Sequence, residues 1–192
     1  MLKEKLKGYN VILASKSPRR QQFFKDLDID FSIQLKEVEE IYPNKLKGTE
    51  ITDFLADLKS KAFTNLSKND LLITSDTIVW LNNTALGKPK DEQDAFAMLK
   101  SLSGKKHEVI TSISIKSKNF QKIVNDTTIV SFKDLLDDEI NYYIKNYKPF
   151  DKAGAYGIQE WIGFIAIDSM NGSYFNVAGL PVHKLYKELM NL

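Results

Sequence analysis

Hydrophobic and polar residues follow two spacings along the chain, one typical of helices and one typical of strands. In residues 50–66 the apolar side chains recur every three or four positions, at Ile51, Phe54, Leu55, Leu58 and Ala62. This spacing predicts an amphipathic helix. The run DLLITSDTIVWLNNTALGK, residues 70–88, is rich in β-formers and is interrupted by two asparagines. It predicts a hairpin that turns at Asn82–Asn83.

The remaining segments also mix helices and strands. Strands are predicted for NVILAS (10–15) and DFSIQL (30–35), and β-rich runs for HEVITSISIKS (107–117) and KIVNDTTIVSFK (122–133). Helices are predicted for 18–27, for 137–147 and for 181–192, where Pro181 can open the helix. The segment 91–107 is also predicted to contain a helix, with Gly104 just past the helix end. A glycine-bearing loop leads into WIGFIAIDS, residues 161–169.

The order of these elements predicts the fold class. Strands and helices alternate without a strict βαβ rhythm, so we expect an α/β protein with a mixed twisted sheet flanked by helices. There is no repeat, no low-complexity tract and no linker rich in proline, glycine or serine. We therefore expect one domain over residues 1–192.

Composition and charge remove several classes of function. The chain has 192 residues, 43% hydrophobic and 27% charged, and 27 basic against 25 acidic residues give a net charge of +2. Such a weak field does not call for nucleic acid or an anionic membrane. The absence of cysteine excludes disulfides, thiol catalysis and cysteine-based zinc sites. With a polar N-terminus and no apolar run of membrane-spanning length, we expect a cytoplasmic protein.

The segment LASKSPRR, residues 13–20, breaks a rule of helix ends. Ser17 and Pro18 suit the N-cap and first position of a helix, but Arg19 and Arg20 follow where carboxylates are favoured. Two cations at an end that is already positive suggest that an anion binds there.

Asp76 interrupts a run that is otherwise built for the interior of a sheet. Aspartate is a poor strand residue, and burying its charge is costly unless the carboxylate is paired or bound to metal. The residue is either a carboxylate at a strand end that accepts backbone N–H groups, or a metal ligand or general base in a cleft. Thr77, next to it, is either present because threonine favours β-strands or has a hydroxyl that faces the same cleft.

Other candidates are weak alone and suggestive together. Each fits an ordinary exposed role, but as a set they suit a polyphosphate bound by cations, with carboxylates holding a divalent cation. They are Glu39 and Glu40, Lys61, Lys88, Lys152 and Gln159, whose amide could face a base edge.

Several motifs are missing. No P-loop and no GxGxxG sequence occurs. His107 and His183 favour packing or surface roles rather than a metalloprotease site or a triad. The aromatic residues do not interleave with a basic stripe, so nucleic-acid binding is not expected.

Five segments resemble the Maf family of nucleoside triphosphate pyrophosphatases in order and spacing. They are LASKSPRR, SDTIVWLNNTALGKPKD, LSGKKHEVITSI, DKAGAYGIQE and NGSYFNVAGLPV, and the resemblance covers about residues 10–190. It implies a fold related to the inosine triphosphate pyrophosphatases, with two lobes around a deep cleft. It also implies a homodimer, and family members have been associated with septum formation and division arrest.

The resemblance further implies hydrolysis between the α and β phosphates, with roles for particular residues. Asp76 matches the proposed proton acceptor, and Arg19, Thr77 and Gln159 match positions linked to substrate choice. The family's other cleft residues match Ser15, Arg20, Glu40, Lys61, Lys88 and Lys152. On this basis Asp76 and Glu40 are expected to hold Mg²⁺ or Mn²⁺.

The segments KAGAYGIQE and NGSYFNVAGLP resemble the branch of the family that acts on dTTP and UTP. The other branch prefers 7-methyl-GTP and is the main alternative. Glu160 departs from the family pattern, in which a glycine commonly follows the glutamine, and this departure bears on base preference. A non-catalytic nucleotide sensor and a phosphotransferase are alternatives from other classes.

Overall fold

The structure is a computed structural model that describes all 192 residues. Its helices are α1 (Leu2–Lys5), α2 (Pro18–Asp26), α3 (Thr49–Lys61), α4 (Glu92–Leu102), α5 (Asp137–Tyr147), α6 (Trp161–Ala166), α7 (Tyr174–Val177) and α8 (Val182–Met190), with a 3₁₀ turn at Ala153–Ala155. Its strands are β1 (Asn10–Leu13), β2 (Phe31–Ile33), β3 (Asp70–Leu81), β4 (Thr84–Leu86), β5 (Lys106–Lys116), β6 (Gln121–Phe132) and β7 (Ile167–Asn171). No helix has the length and apolar character needed to cross a bilayer.

The seven strands form one mixed sheet. The order is β2-β1-β3-β5-β6-β7, and β4 pairs separately with β3. β1 runs parallel to both β2 and β3, whereas β4 and β7 run antiparallel to β3 and β6. The prediction of an α/β fold with a mixed sheet flanked by helices is confirmed.

The chain divides into two compact units. The first comprises Met1–Asp76, Thr111–Asp126 and Gly179–Leu192, and the second comprises Thr77–Ile110 and Thr127–Ala178. Asp76 is thus the last residue of the first unit's longest segment, and Thr77 begins the second unit. The expectation of one domain over residues 1–192 stays a prediction.

In the first unit, the end of β1 leads directly into α2. Ala14 donates its N–H to the carbonyl of Ile73, extending the pairing with β3 by one residue at 2.9 Å. Ser17 then caps α2 by accepting the N–H of Arg20, as the sequence predicts. Phe24, fully buried, anchors the helix through its apolar face. Burial of one such side chain contributes about 1.5–3 kcal/mol.

In the second unit, the hairpin and two helices enclose an apolar core. Asn82 and Asn83 both adopt positive φ values, 49° and 61°, and join β3 to β4 in the predicted turn. Two asparagines suit this turn because asparagine tolerates the left-handed region better than most residues. The core they border contains Leu99 of α4 and Ile140 of α5, both fully buried.

The sequence patterns do not predict α1 and α7, and the structure defines two further segments more closely. The helix expected over 50–66 spans Thr49–Lys61 and stops earlier because poor helix formers, Thr64, Asn65 and Ser67, follow it. The segment WIGFIAIDS divides into α6 and β7.

His107 is a buried, uncharged component of the second unit. Its Nε2 lies 2.8 Å from the hydroxyl of Tyr156, and its ring packs edge-on against Phe132. Nδ1 is buried with no hydrogen-bond partner. Burial lowers the pKa of His107 to about 4. The histidine therefore favours packing, as expected from the sequence.

This burial predicts a pH dependence of stability. The unfolded chain binds a proton at His107 near its ordinary pKa of about 6.5, whereas the folded chain does so only near 4. The free energy of unfolding should therefore fall as pH drops through this window, by about 2 kcal/mol between pH 7 and pH 5. Urea unfolding of H107Q at both pH values should show a smaller loss, and H183Q, at the exposed histidine, should behave like wild type. An equal loss in H107Q would contradict the assignment.

Candidate active site

Asp76 lies at the end of a fully buried stretch of β3, and its carboxylate is itself buried. The side chain is 8% exposed and accepts a hydrogen bond from the ammonium group of Lys59. The same ammonium lies 3.0 Å from Oε1 of Glu40. Lys59 therefore joins the two carboxylates that the sequence marks as candidate metal ligands.

Burial and charge act on Asp76 in opposite directions. Removal from water raises the pKa of its carboxyl above the ordinary value, while Lys59 and then Arg20 lower it. The burial effect is the larger, so the net pKa is raised. A carboxylate with a raised pKa is a better proton acceptor than an exposed one.

The lysine in contact with both carboxylates is Lys59, which the sequence motifs do not single out. Lys61 is 67% exposed and pairs with Asp57 at 2.6 Å, one turn earlier on α3. Lys59, 17% exposed, follows Ile51 and Leu55 at intervals of four and lies beside the buried face of the helix. This spacing is the feature of the sequence from which the position of Lys59 beside the buried face could have been predicted. The binding role of Lys61 stays a prediction.

Arg20 contacts the protein's own backbone. Its Nε donates to the carbonyl of Gly179 at 2.8 Å, and its Nη1 donates to the carbonyl of Ser75 at 2.9 Å. Burial lowers the pKa of Arg20, and Asp76 opposes that effect. The guanidinium group thus fixes the start of α2 next to the residue that precedes Asp76.

The other residues of the first turn lie close by. Ser15 is buried, and its hydroxyl accepts the N–H of Ser17 at 3.2 Å. Arg19 is half-buried and contributes to the electrostatic surroundings of Arg20. The first unit thus brings Arg20, Glu40 and Asp76 into mutual electrostatic contact, whereas Lys61 pairs elsewhere.

The second unit gathers the remaining candidates around one loop. Lys152 is 8% exposed, and its ammonium pairs with Asp151 at 2.6 Å and with Glu160 at 3.0 Å. Two residues on, Gly154 donates its N–H to the carbonyl of Gly87 at 2.9 Å, which brings the segment containing Lys88 to the Lys152 loop. Lys88 itself is exposed.

Gly154 is required at this point of the loop. Its φ is +66°, and a Cβ there would lie 2.7 Å from Cγ2 of Val79 on β3. The loop therefore packs directly on the strand that carries Thr77, which is half-buried. Gln159 is exposed between the buried Ile158 and the half-buried Glu160, so its amide is available to a ligand.

The donor set of the first unit fits a hard divalent cation only in part. No group of three or more histidine, cysteine or acidic side chains stands ready to hold a metal ion. Asp76 and Glu40 nevertheless supply carboxylate oxygens that converge on one cation, the Lys59 ammonium. Mg²⁺ commonly binds through one or two carboxylates together with substrate phosphates and waters. The pair suits a metal that arrives with a triphosphate.

Comparison with solved structures identifies the class of fold. A Ham1 protein from Coxiella burnetii matches with a TM-score of 0.51 and 16% identity, covering 96% of this chain and 100% of that chain. At this identity the likeness concerns the fold alone, and it agrees with the fold that the sequence resemblance implied.

The family is identified by sequence. The family model described as Maf-like protein matches residues 10–192. Similar proteins include the dTTP/UTP pyrophosphatases of Flavobacterium johnsoniae, 62% identical over the full length of both chains, and of Bacteroides fragilis, 49% identical over 97% of this chain and 98% of that one. This chain belongs to the Maf-like family, and the resemblance stated from its motifs is confirmed.

The two lysines of α3 predict different effects on stability. K59Q leaves the buried carboxylate of Asp76 without its ammonium partner, so we expect a loss of about 3 kcal/mol in the free energy of unfolding near pH 7. K61Q removes a largely exposed ion pair and should cost less than about 1 kcal/mol. Urea unfolding of both variants measures the difference. An equal loss of unfolding free energy in the two variants would mean that the buried Asp76 carboxylate is not stabilised by Lys59.

Proposed function

We propose that the protein is a nucleoside triphosphate pyrophosphatase that hydrolyses dTTP and UTP to the monophosphate and pyrophosphate. The observation that carries this proposal is the buried carboxylate of Asp76, with a raised pKa, in contact with Lys59 and beside Arg20. Membership of the Maf-like family and the names of the relatives support the same reaction. A cytoplasmic location and a homodimer stay predictions.

Asp76 is proposed as the proton acceptor. Water breaks the P–O–P linkage between the α and β phosphates, its oxygen joins one of the two products, and the proton it loses passes to the Asp76 carboxylate. Burial favours this step because it raises the proton affinity of the carboxylate. Lys59 limits that rise by favouring the ionised form of the carboxylate.

The cations of the chain are proposed to bind the phosphates. The N–H groups at the start of α2 suit an anion, and Arg19 and Arg20 add positive charge there. Lys88, Lys152 and the predicted but separately paired Lys61 complete the proposed set, with Ser15 at the turn. These groups would offset charge that builds on the departing pyrophosphate.

Asp76 and Glu40 would hold Mg²⁺ or Mn²⁺ as part of this arrangement. The bound cation would polarise a phosphoryl oxygen and neutralise phosphate charge. Thr77, Arg19 and Gln159 are proposed to select the base. A glutamine amide both donates and accepts, so it can match the edge of uracil or thymine.

The first experiment is a product analysis. Purified protein incubated with Mg²⁺ or Mn²⁺ and a panel of nucleoside triphosphates should convert UTP and dTTP to monophosphate and pyrophosphate. Preference for 7-methyl-GTP would contradict the assigned branch. Orthophosphate or a phosphorylated acceptor would indicate a phosphotransferase, and tight binding without turnover would indicate a sensor.

The role of Asp76 is tested by D76N. Loss of the proton acceptor should lower kcat at least about a hundredfold, the scale of general base catalysis, while the fold persists. The matched control is D30N, which removes an exposed carboxylate paired with Lys3. D30N should stay within about twofold of wild-type kcat. Unchanged kcat in D76N, with melting and circular dichroism as checks of folding, would refute the role.

The role of Arg19 is tested by R19A. Arg19 belongs to the proposed selection group, so R19A should raise KM for dTTP or reduce discrimination between bases by about tenfold, the effect of one lost charged hydrogen bond. The control is K16A, an exposed cation in the same turn. An unaltered substrate profile in R19A would contradict the assignment.

A further inference from the structure

Glu160 uses both of its carboxylate oxygens in contacts within the second unit. Oε1 lies 3.0 Å from the ammonium of Lys152, and Oε2 accepts a hydrogen bond from the hydroxyl of Tyr143. Tyr143 is fully buried on α5. Glu160 therefore connects a proposed phosphate-binding lysine to the interior of the unit.

The Tyr143 hydroxyl also holds the other end of the same turn. It accepts the N–H of Gly157 at 3.1 Å, and Glu160 donates its own N–H to the carbonyl of Gly157 at 3.0 Å. Gln159, exposed between these anchored residues, has its backbone fixed from both sides.

The side chains of the network pack closely over Gly157. A Cβ at this position would lie 3.0 Å from Cδ of Glu160 and 3.1 Å from Cε of Lys152. These separations are shorter than ordinary van der Waals contact, so any side chain at position 157 would push against the Glu160 carboxylate and the Lys152 stem. Glycine at this position lets both side chains pack directly on the loop backbone.

A turn of this kind does not need a carboxylate for its stability. Asp151 already supplies Lys152 with one counter-charge at 2.6 Å. Glu160 adds a second, largely buried carboxylate, whose loss of contact with water is a cost that a small residue would avoid. The cost is explained if the orientation of Lys152 matters.

We propose that Glu160, held by Tyr143, is a positioning residue that fixes Lys152 and the Gln159 turn in one geometry. It couples the group proposed to bind phosphate to the group proposed to read the base. The proposal rests on the proposed function of the site. Neither Glu160 nor Tyr143 is assigned contact with substrate; both act through Lys152 and Gln159.

The E160Q variant tests this coupling with little change of volume. A glutamine removes the negative charge that faces Lys152 and replaces one acceptor oxygen with an amide donor, so the ion pair with Lys152 is lost and the two contacts can no longer both keep their acceptor. Y143F removes the hydroxyl from the other side of the same contact. Y142F is the matched control, because Tyr142 is the preceding residue of α5, is exposed and packs its ring against Trp161.

Two readouts separate positioning from a loss of folded protein. The first is the ratio of kcat/KM for dTTP to that for dCTP, which is independent of the fraction of active enzyme. The second is the inhibition constant of inorganic pyrophosphate, which reports on Lys152. We expect E160Q and Y143F each to lower the dTTP-to-dCTP ratio about tenfold and to raise the inhibition constant of pyrophosphate about tenfold. Y142F should change neither quantity.

A double-variant cycle tests whether the two residues act through one contact. Y143F/E160Q should lose about as much as either single variant, rather than the product of both losses. Movement of only one readout, no movement in either, or multiplicative losses would overturn the proposal. If Y143F does not fold, the substrate ratio and the pyrophosphate inhibition constant of E160Q test the proposal without it. Wild-type protein that fails to hydrolyse dTTP and UTP contradicts the proposed function instead.

Discussion

The contact between the buried carboxylate of Asp76 and the ammonium of Lys59 is the constraint on which the candidate site depends. A buried carboxylate is stable only when a cation or several donors accompany it. Lys59 reaches Asp76 because α3 packs on β3, where the hydroxyl of Thr74 donates to the carbonyl of Ala56 at 2.6 Å. The position of a helix thus affects the pKa of a carboxyl group on a strand. Substitutions that shift α3 should affect Asp76 without touching it.

Arg20 adds a second constraint at the same carboxylate. Its bond to the carbonyl of Ser75 fixes the backbone one residue before Asp76, and its charge lowers the pKa of the Asp76 carboxyl. The positive residues at the start of α2 therefore have a partner within the protein, whether or not an anion is bound. A local violation of the helix-end rule is offset by contacts that only the folded chain provides.

Local patterns in the sequence predicted helices α2, α3, α4, α5 and α8, the hairpin at Asn82–Asn83 and the unusual character of Asp76, because each depends on neighbouring residues. The contacts of Arg20 were not predictable in this way, since its acceptors belong to Ser75 and Gly179, far away in the chain. Lys59 was accessible from helical spacing, but the resemblance directed attention to Lys61. Side-chain partners depend on packing between distant segments, which periodicity does not specify.

Each unit holds one partly or fully buried lysine between two carboxylates. In the first, Lys59 contacts Asp76 and Glu40; in the second, Lys152 contacts Asp151 and Glu160. A triphosphate needs cations, but unpaired cations this far from water would destabilise the folded chain. Pairing each lysine with carboxylates orients its ammonium group while the net charge stays at +2. Affinity for an anion then depends on how each lysine is oriented and on whether the anion can replace a carboxylate as its partner, rather than on a general positive field. The geometry around each lysine therefore matters as much as its charge.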